Sequence, residues 1–272
     1  MKLAVVSDLH YGFNNKTHEI HVQFFKKLRE ACDVSKVDAL IHCGDWIANN
    51  QHQMPRAFKM LRGAMGELPI LGVFGNHDNW SADFWLKRKS YCSALERMSL
   101  HEMAIQHHTW ADEYKIHLLQ RNPYFHGTEV AIYGFNGWYG LSSPNTNDAA
   151  NMPLMYESSP ALVYLSHEAG KELGFVLDEV EKIPFPIKKV CVTHFPSYSH
   201  DPNHEIYCAN ISHMDFITDK FDLLLHGHSH QIEDWCAKSK SSTNICRVVN
   251  PGTIFDKYSG GYNKPNFVII NI

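Results

Sequence analysis

Leu3-Ala4-Val5-Val6-Ser7-Asp8-Leu9-His10 opens the chain with an apolar run that stops at an Asp-x-His pair. A short continuous run of this kind, bounded by polar residues, reads as a strand buried on both faces. The arrangement recurs down the sequence. Ala39–Cys43 leads into Gly44-Asp45, Ile70–Phe74 into Gly75-Asn76-His77-Asp78, Val190–Thr193 into His194, and Leu223–His226 into Gly227-His228-Ser229-His230. Each polar block falls where a strand ends, and a sheet gathers such ends at one edge. Their oxygen and nitrogen donors supply ligands for two adjacent metal ions.

Helical patterns lie between the first strands. Thr17 caps a helix whose apolar stripe is Ile20, Phe24, Leu28 and Cys32, and a second stripe runs through Met54, Phe58, Leu61 and Met65. With strands at Asp38–Cys43 and Pro69–Phe74, the chain up to Asp78 alternates β-α-β-α-β, which favours parallel strands joined by crossover helices. The pattern changes from Asn79 to about Pro186. This middle segment holds a helix from Ser81 to about Met98, strands at Ile116–Leu119 and Val130–Phe135, and a polar loop from Ser142 to Ser159. A helix then starts at Ser159-Pro160 and runs to Lys182, with Gly170 and Gly174 as candidate breaks. Alternation resumes with a strand at Lys188–Thr193, a helix near Ile211–Lys220 and strands at Phe221–His226, Ile245–Val249 and Phe267–Ile270. Because the proposed ligands run from residue 8 to residue 230, cutting the chain would split the site. The expectation is one domain over 1–272 with an insertion near the substrate at about 79–186.

Composition sets outer bounds. A chain of 272 residues that is 44% hydrophobic and 20% charged is that of a globular protein with a sizeable core. No stretch reaches the roughly 20 apolar residues of a membrane span, and the first strand begins at Lys2 with a ligand at Asp8, which leaves no room for a removable signal. Seven cysteines at irregular spacing suit reduced thiols. These points give a cytoplasmic expectation, with no membrane partner. A net charge of −4 gives no general attraction to nucleic acid, and Lys87-Arg88-Lys89 reads as a solvated helix face.

Two divalent ions about 3.5–4 Å apart can clamp the attacking and leaving oxygens of an in-line phosphoryl displacement. A carboxylate such as Asp45 can bridge them, while imidazoles and an amide oxygen complete the shells without adding charge. Two dications, two aspartates and a hydroxide leave a net charge of about +1, which attracts a phosphate anion.

The ordered set D-x-H, G-D, G-N-H-D, H and G-H-x-H resembles the calcineurin-like metallophosphoesterase superfamily, and Asn250-Pro251-Gly252 is similar to the family's usual ending. The resemblance implies an α/β fold, a four-layer αββα sandwich of two mixed β-sheets flanked by helices. It also implies that Asp8, His10, Asp45 and His230 hold one metal and that Asp45, Asn76, His194 and His228 hold the second. His77 stands over the leaving group as general acid or charge stabiliser, with Asp78 orienting its imidazole, and a hydroxide bridging the metals is the nucleophile. Manganese is the expected metal, with iron, zinc and nickel as alternatives.

The residues beside the blocks narrow the substrate. Serine/threonine phosphatases of the superfamily carry phosphate-gripping arginines where Asn49 and Phe74 stand here, and losing two forked donors weakens recognition of a phosphomonoester dianion. The expectation is a phosphodiester or small phosphomonoester substrate. Alternatives are a nuclease acting on single strands, a protein phosphatase and a non-catalytic scaffold; the oligomeric state stays open. His200 and His204, like His101, His107 and His108, read as exposed loop histidines, the last three with a cap over the site as the alternative alongside Trp110. Trp138 and Tyr139 read as packing residues, with stacking on a base or sugar as the alternative.

Overall fold

In β1 (Lys2–Val6) successive side chains enter different layers: Leu3 and Val5 belong to one buried cluster, Ala4 and Val6 to another. This is the period of two that a pleated strand imposes, and it builds the architecture. In the computed structural model, which describes residues 1–12, 17–48, 51–79, 100–120, 122–137, 160–184, 186–195, 212–254 and 266–272, two sheets stack face to face. The first has the order β11-β1-β2-β3-β4, from β2 (Ala39–His42), β3 (Ile70–Gly72), β4 (Ile116–Leu118) and β11 (Val268–Asn271). The second has the order β5-β6-β7-β8-β10-β9, from β5 (Tyr124–His126), β6 (Val130–Phe135), β7 (Lys188–Thr193), β8 (Leu223–Leu225), β9 (Ile232–Lys238) and β10 (Ile245–Pro251). In each sheet four strands run parallel and the antiparallel pairings sit at the margins, β11 on β1, β5 on β6 and β9 on β10.

Leu3, Val5, Ile41 and Val73 meet Ile132, Val190, Val192 and Val249 between the sheets. On the outer face of the first sheet, Ala4, Val6, Leu40 and Ile70 pack against α1 (Thr17–Ser35), α2 (Met54–Met65) and α4 (Leu100–Glu113). On the outer face of the second, Tyr133, Phe135, Cys191 and Leu224 pack against α5 (Pro160–Glu181) and α6 (Ser212–Lys220). The result is the expected four-layer αββα sandwich. Each fully buried aliphatic side chain contributes ~1.5–3 kcal/mol, so all three apolar layers hold the sheets in place. Cys32, Cys43, Cys191, Cys236 and Cys246 are free thiols. Among the described residues no helix is long and apolar enough to cross a membrane.

Several elements differ from the sequence reading. The stripe of α1 is Phe24, Phe25, Leu28 and Cys32, with His21 buried beside it and Ile20 only half-buried. Helix α5 runs through Gly170 and Gly174 without a break, because Leu173, Val176 and Val180 anchor its buried face, while both glycines lie exposed with nothing within 4 Å of an added Cβ. Helix α4 and strands β5 and β9 were not foreseen. Between Asn79 and Pro186 the chain supplies β4 to one sheet and β5 and β6 to the other, and α5 packs on β6. The helix expected at Ser81–Met98, the loop at Ser142–Ser159, and Asn49, Lys87-Arg88-Lys89, Trp138, Tyr139, His200 and His204 lie outside the described residues.

Candidate metal centre

All five polar blocks emerge from the C-terminal ends of parallel strands, β1, β2 and β3 in one sheet and β7 and β8 in the other. Parallel strands deliver their ends to the same edge, where open α/β sheets bind ligands. Backbone hydrogen bonds then lock the loops together. The N–H groups of Asp8 and His10 donate to the carbonyls of Gly44 (3.0 Å) and Asp45 (3.1 Å), and the Gly227 N–H donates to the His194 carbonyl (3.1 Å). Asp8, His10, Asp45, His228 and His230 all have left-handed backbones, with φ from 44° to 66°. Among the described non-glycine residues only Lys36 and Lys115 share that conformation, and strain of this kind concentrates at functional sites.

Three groups of donor atoms result, Asp8/His10/His230, His10/Asp45/His77 and Asp45/His194/His228, each with its atoms within 4.8 Å of one another. Asp45 links the last two. Its Oδ1 lies 3.4 Å from His194 Nε2 and accepts a bond from the His77 N–H at 2.9 Å, while its Oδ2 lies 3.8 Å from both His10 Nε2 and His77 Nε2. His194 donates from Nδ1 to the Cys43 carbonyl (2.8 Å), which turns Nε2 toward Asn76 Oδ1 at 3.0 Å. On the other side, Asp8 Oδ1 is 3.2 Å from His230 Nε2, His230 Nε2 is 3.1 Å from His10 Nε2, and Asp8 Oδ2 accepts the His228 N–H at 3.0 Å.

The electrostatics describe a place built for cations. Burial would raise the carboxyls of Asp8 and Asp45, but the histidines around them, His230 for Asp8 and His194 for Asp45, hold both well below the usual range. Burial would lower His194 and His230, yet the same carboxylates raise them, His194 to about 9. His10 is pushed down to about 3, chiefly by burial and then by His77, and burial likewise drives His228 well down. Two buried carboxylates, an amide oxygen and several imidazole nitrogens therefore converge with more lone pairs than protons. That donor set fits divalent ions with oxygen and nitrogen preference.

A family model for calcineurin-like phosphoesterases matches residues 1–232. The chain belongs to the calcineurin-like phosphoesterase family. Membership implies divalent metal ions, and the donor groups at the strand ends are the candidate ligands. Among solved structures, this phosphoesterase is similar to the phosphopantetheinyl hydrolase of Mycobacterium tuberculosis, with 16% identity, a TM-score of 0.66, and coverage of 93% of this chain and 89% of that one. It is also similar to a dimetal phosphatase from Danio rerio, with 10% identity, a TM-score of 0.56, and coverage of 99% and 91%. A putative 5'-nucleotidase from Staphylococcus aureus shares 15% identity at a TM-score of 0.52 over 93% of this chain and 48% of that one. At these identities the likenesses concern the fold. Comparison with curated protein sequences found no match.

Around the donor groups the structure of the phosphoesterase gives further partners. Asp78 Oδ1 and Oδ2 accept the backbone N–H groups of Ile47 (3.2 Å) and Gly75 (2.8 Å). Burial, then the Asp45 charge, pushes its carboxyl up to about 8. His77 Nδ1 donates to the Ala48 carbonyl. Residues 76–79 form a helical turn, α3. His107 and His108 sit on α4 rather than in a loop, His107 fully buried and pushed down to about 3 by burial. Their rings lie 5.0 and 5.9 Å from that of Phe74, so Phe74 is turned into the core.

Neighbouring residues brace these loops; Asn250 stands in the Asn-Pro-Gly segment noted in the sequence, while Thr253 and His42 were not singled out. Thr253 Oγ1 donates to the Asp8 carbonyl (2.9 Å), and Asn250 Nδ2 donates to Ser229 Oγ (2.8 Å) and the Gly227 carbonyl (3.2 Å). His42 stacks on Trp46 at 3.6 Å and accepts the Gly44 N–H at 3.1 Å. Asn136 follows β6 as the ligand blocks follow their strands, and that position is the signal that could have found it.

Proposed function

We propose that this phosphoesterase hydrolyses a phosphodiester or a small phosphomonoester with two divalent ions, manganese being the first choice. Asp8, His10, Asp45 and His230 hold one ion, and Asp45, Asn76, His194 and His228 hold the other. The observation that carries this reading is Asp45, whose two carboxylate oxygens face different histidine groups, Oδ1 toward His194 and Oδ2 toward His10. Bound there, the ions supply Lewis acidity and activate water for in-line displacement.

The chain's own residues account for the rest. Asn76 contributes an uncharged oxygen, so the site keeps a net positive charge once loaded and attracts the phosphate. His77, with 23% of its side chain exposed beside buried ligands, reaches the substrate face. Its Nδ1–H is engaged by the Ala48 carbonyl, so Nε2 is the atom that transfers a proton to the leaving oxygen. The position before Gly75 offers the substrate no guanidinium and is turned inward, which favours small phosphoesters over phosphoproteins. Two structural neighbours, a phosphopantetheinyl hydrolase and a putative 5'-nucleotidase, are likewise named for phosphoester chemistry.

The test is a panel of aryl phosphate mono- and diesters, nucleotides, cyclic nucleotides, oligonucleotides and phosphopeptides, each with manganese, iron, zinc or nickel. Asp45→Asn is expected to lose bound metal and at least 100-fold of the rate together, on the order of the effect of removing a metal ligand's support. Hydrolysis of oligonucleotides or phosphopeptides alone would overturn the substrate assignment. Undiminished turnover by Asp45→Asn would overturn the site.

A further inference from the structure

The two sheets are joined mainly by apolar contact, which resists separation but has no direction. Yet the site needs Asn76 and His77 from the first sheet held in register with His194 from the second. Asn136, at the end of β6 in the second sheet, makes one directional bond across that gap and two to the end of its neighbour β7. Its Oδ1 accepts the Phe74 N–H at 2.8 Å, on the strand exit that leads into Gly75 and Asn76. Its carbonyl accepts the His194 N–H at 3.3 Å and Thr193 Oγ1 at 3.4 Å.

Asn136 is itself gripped from the outer layer. Glu172 on α5 accepts the Asn136 N–H with Oε2 (2.9 Å) and its Nδ2 with Oε1 (3.2 Å). Both oxygens of one carboxylate are therefore used on one asparagine. The second bond removes the ambiguity of an amide, because with Nδ2 facing Glu172 only Oδ1 can face Phe74. Glu172 sits on the helix face that buries Ala169, Leu173 and Val176, an unfavourable place for a carboxylate without such a role.

We infer that Glu172 and Asn136 are positioning residues that set the distance between the Asn76 and His194 loops, and thereby the geometry of the second metal site. This rests on the assignment of Asn76 and His194 as ligands. Supporting groups around a metal site change affinity or activity by about 10- to 100-fold when removed, and that is the scale expected here.

The experiment measures manganese stoichiometry and affinity by chelator competition, alongside kcat, KM and the urea midpoint. Glu172→Ala is expected to weaken one of the two ions by roughly 10-fold or more and to lower kcat more than KM. Glu172→Gln keeps one acceptor and falls between. The double variant Glu172→Ala/Asn136→Ala is expected to cost no more than Asn136→Ala alone, since the two act in series. Glu168→Gln, on the same helix and ion-paired with Lys171 at 2.8 Å, is the control and leaves both ions bound. The inference is overturned when Glu172→Ala and Glu172→Gln bind both ions as tightly as Glu168→Gln while His194→Ala loses one, or when the urea midpoint alone moves. Should His194→Ala itself keep both ions, the ligand assignment fails first.

Discussion

Gly75→Ala places a methyl group where the structure has no room. An added Cβ would lie against Asp45 Oδ1 and 2.6 Å from the Asp45 backbone nitrogen. Ordinary contacts of carbon stand near 3.5–4.0 Å, so the loops after β2 and β3 must part by about 1 Å. Neither side yields cheaply. The nitrogen belongs to a residue at φ 57°, and the carboxylate oxygen accepts the His77 N–H. Overpacking of this sort costs about 1–3 kcal/mol of stability, and a misplacement near 1 Å costs about 100-fold in rate. The variant is therefore expected to fold, with a lower urea midpoint, to bind manganese at least 10-fold more weakly, and to lose roughly 100-fold in kcat. Metal content by mass spectrometry, aryl phosphate hydrolysis and urea unfolding give the three readings. Gly63→Ala is the comparison, because Gly63 lies exposed in α2 with nothing within 4 Å of an added Cβ. A Gly75→Ala enzyme within threefold of the parent in rate and metal affinity would refute the claim that this glycine exists to let Asp45 approach.

Gly170→Ala and Gly174→Ala are expected to stabilise α5 by about 0.5–1 kcal/mol each, read as urea midpoints, since both sit exposed in a helix interior; destabilisation by either would mean that the helix depends on its glycines. His77→Gln should keep both metals and lose rate most on esters with poor leaving groups, whereas equal losses on good and poor leaving groups would remove it as the proton donor. His107, held down to about 3 by burial, stays neutral when folded and takes a proton near pH 6.5 when unfolded. Its contribution is present above that pH and is lost as pH falls, amounting to about 2 kcal/mol between pH 7 and pH 5. Relative to His107→Phe, the parent should therefore lose that much more stability over the interval; a pH-independent difference in urea stability would contradict it.

The ligand-bearing strands were legible because parallel strands buried on both faces read as unbroken apolar runs, and each ran into a polar block. β9 was not, for the converse reason. Along this edge strand exposed Ile232, Asp234, Cys236 and Lys238 alternate with only half-buried Glu233, Trp235 and Ala237, so Ile232 and Cys236 face solvent and Glu233 faces inward, which blurs the apolar alternation. Gly170 and Gly174 misled because propensity is a weak prior in a helix anchored by Leu173, Val176 and Val180. Asn136 and Glu172 could not be paired from sequence, because their partnership exists only once α5 lies over the end of β6.

Strand ends and candidate ligands coincide here for a reason deeper than topology. A strand stops where its backbone leaves the extended region, and Asp8, Asp45 and His228 make that departure into the left-handed region just beyond β1, β2 and β8. Asp, Asn and His tolerate this conformation better than most side chains, and it takes each out of the pleat and toward its neighbours across the sheet edge. The accompanying glycines complete the device. Gly75 admits Asp45, and Gly227, where a Cβ would run into Ser7 Oγ and lie 2.7 Å from Asp8 Oδ2, admits Asp8. The Gly-Asn and Gly-His blocks thus follow a strand end, leave space for a carboxylate and offer candidate ligands, so local backbone chemistry and metal chemistry favour the same few residues.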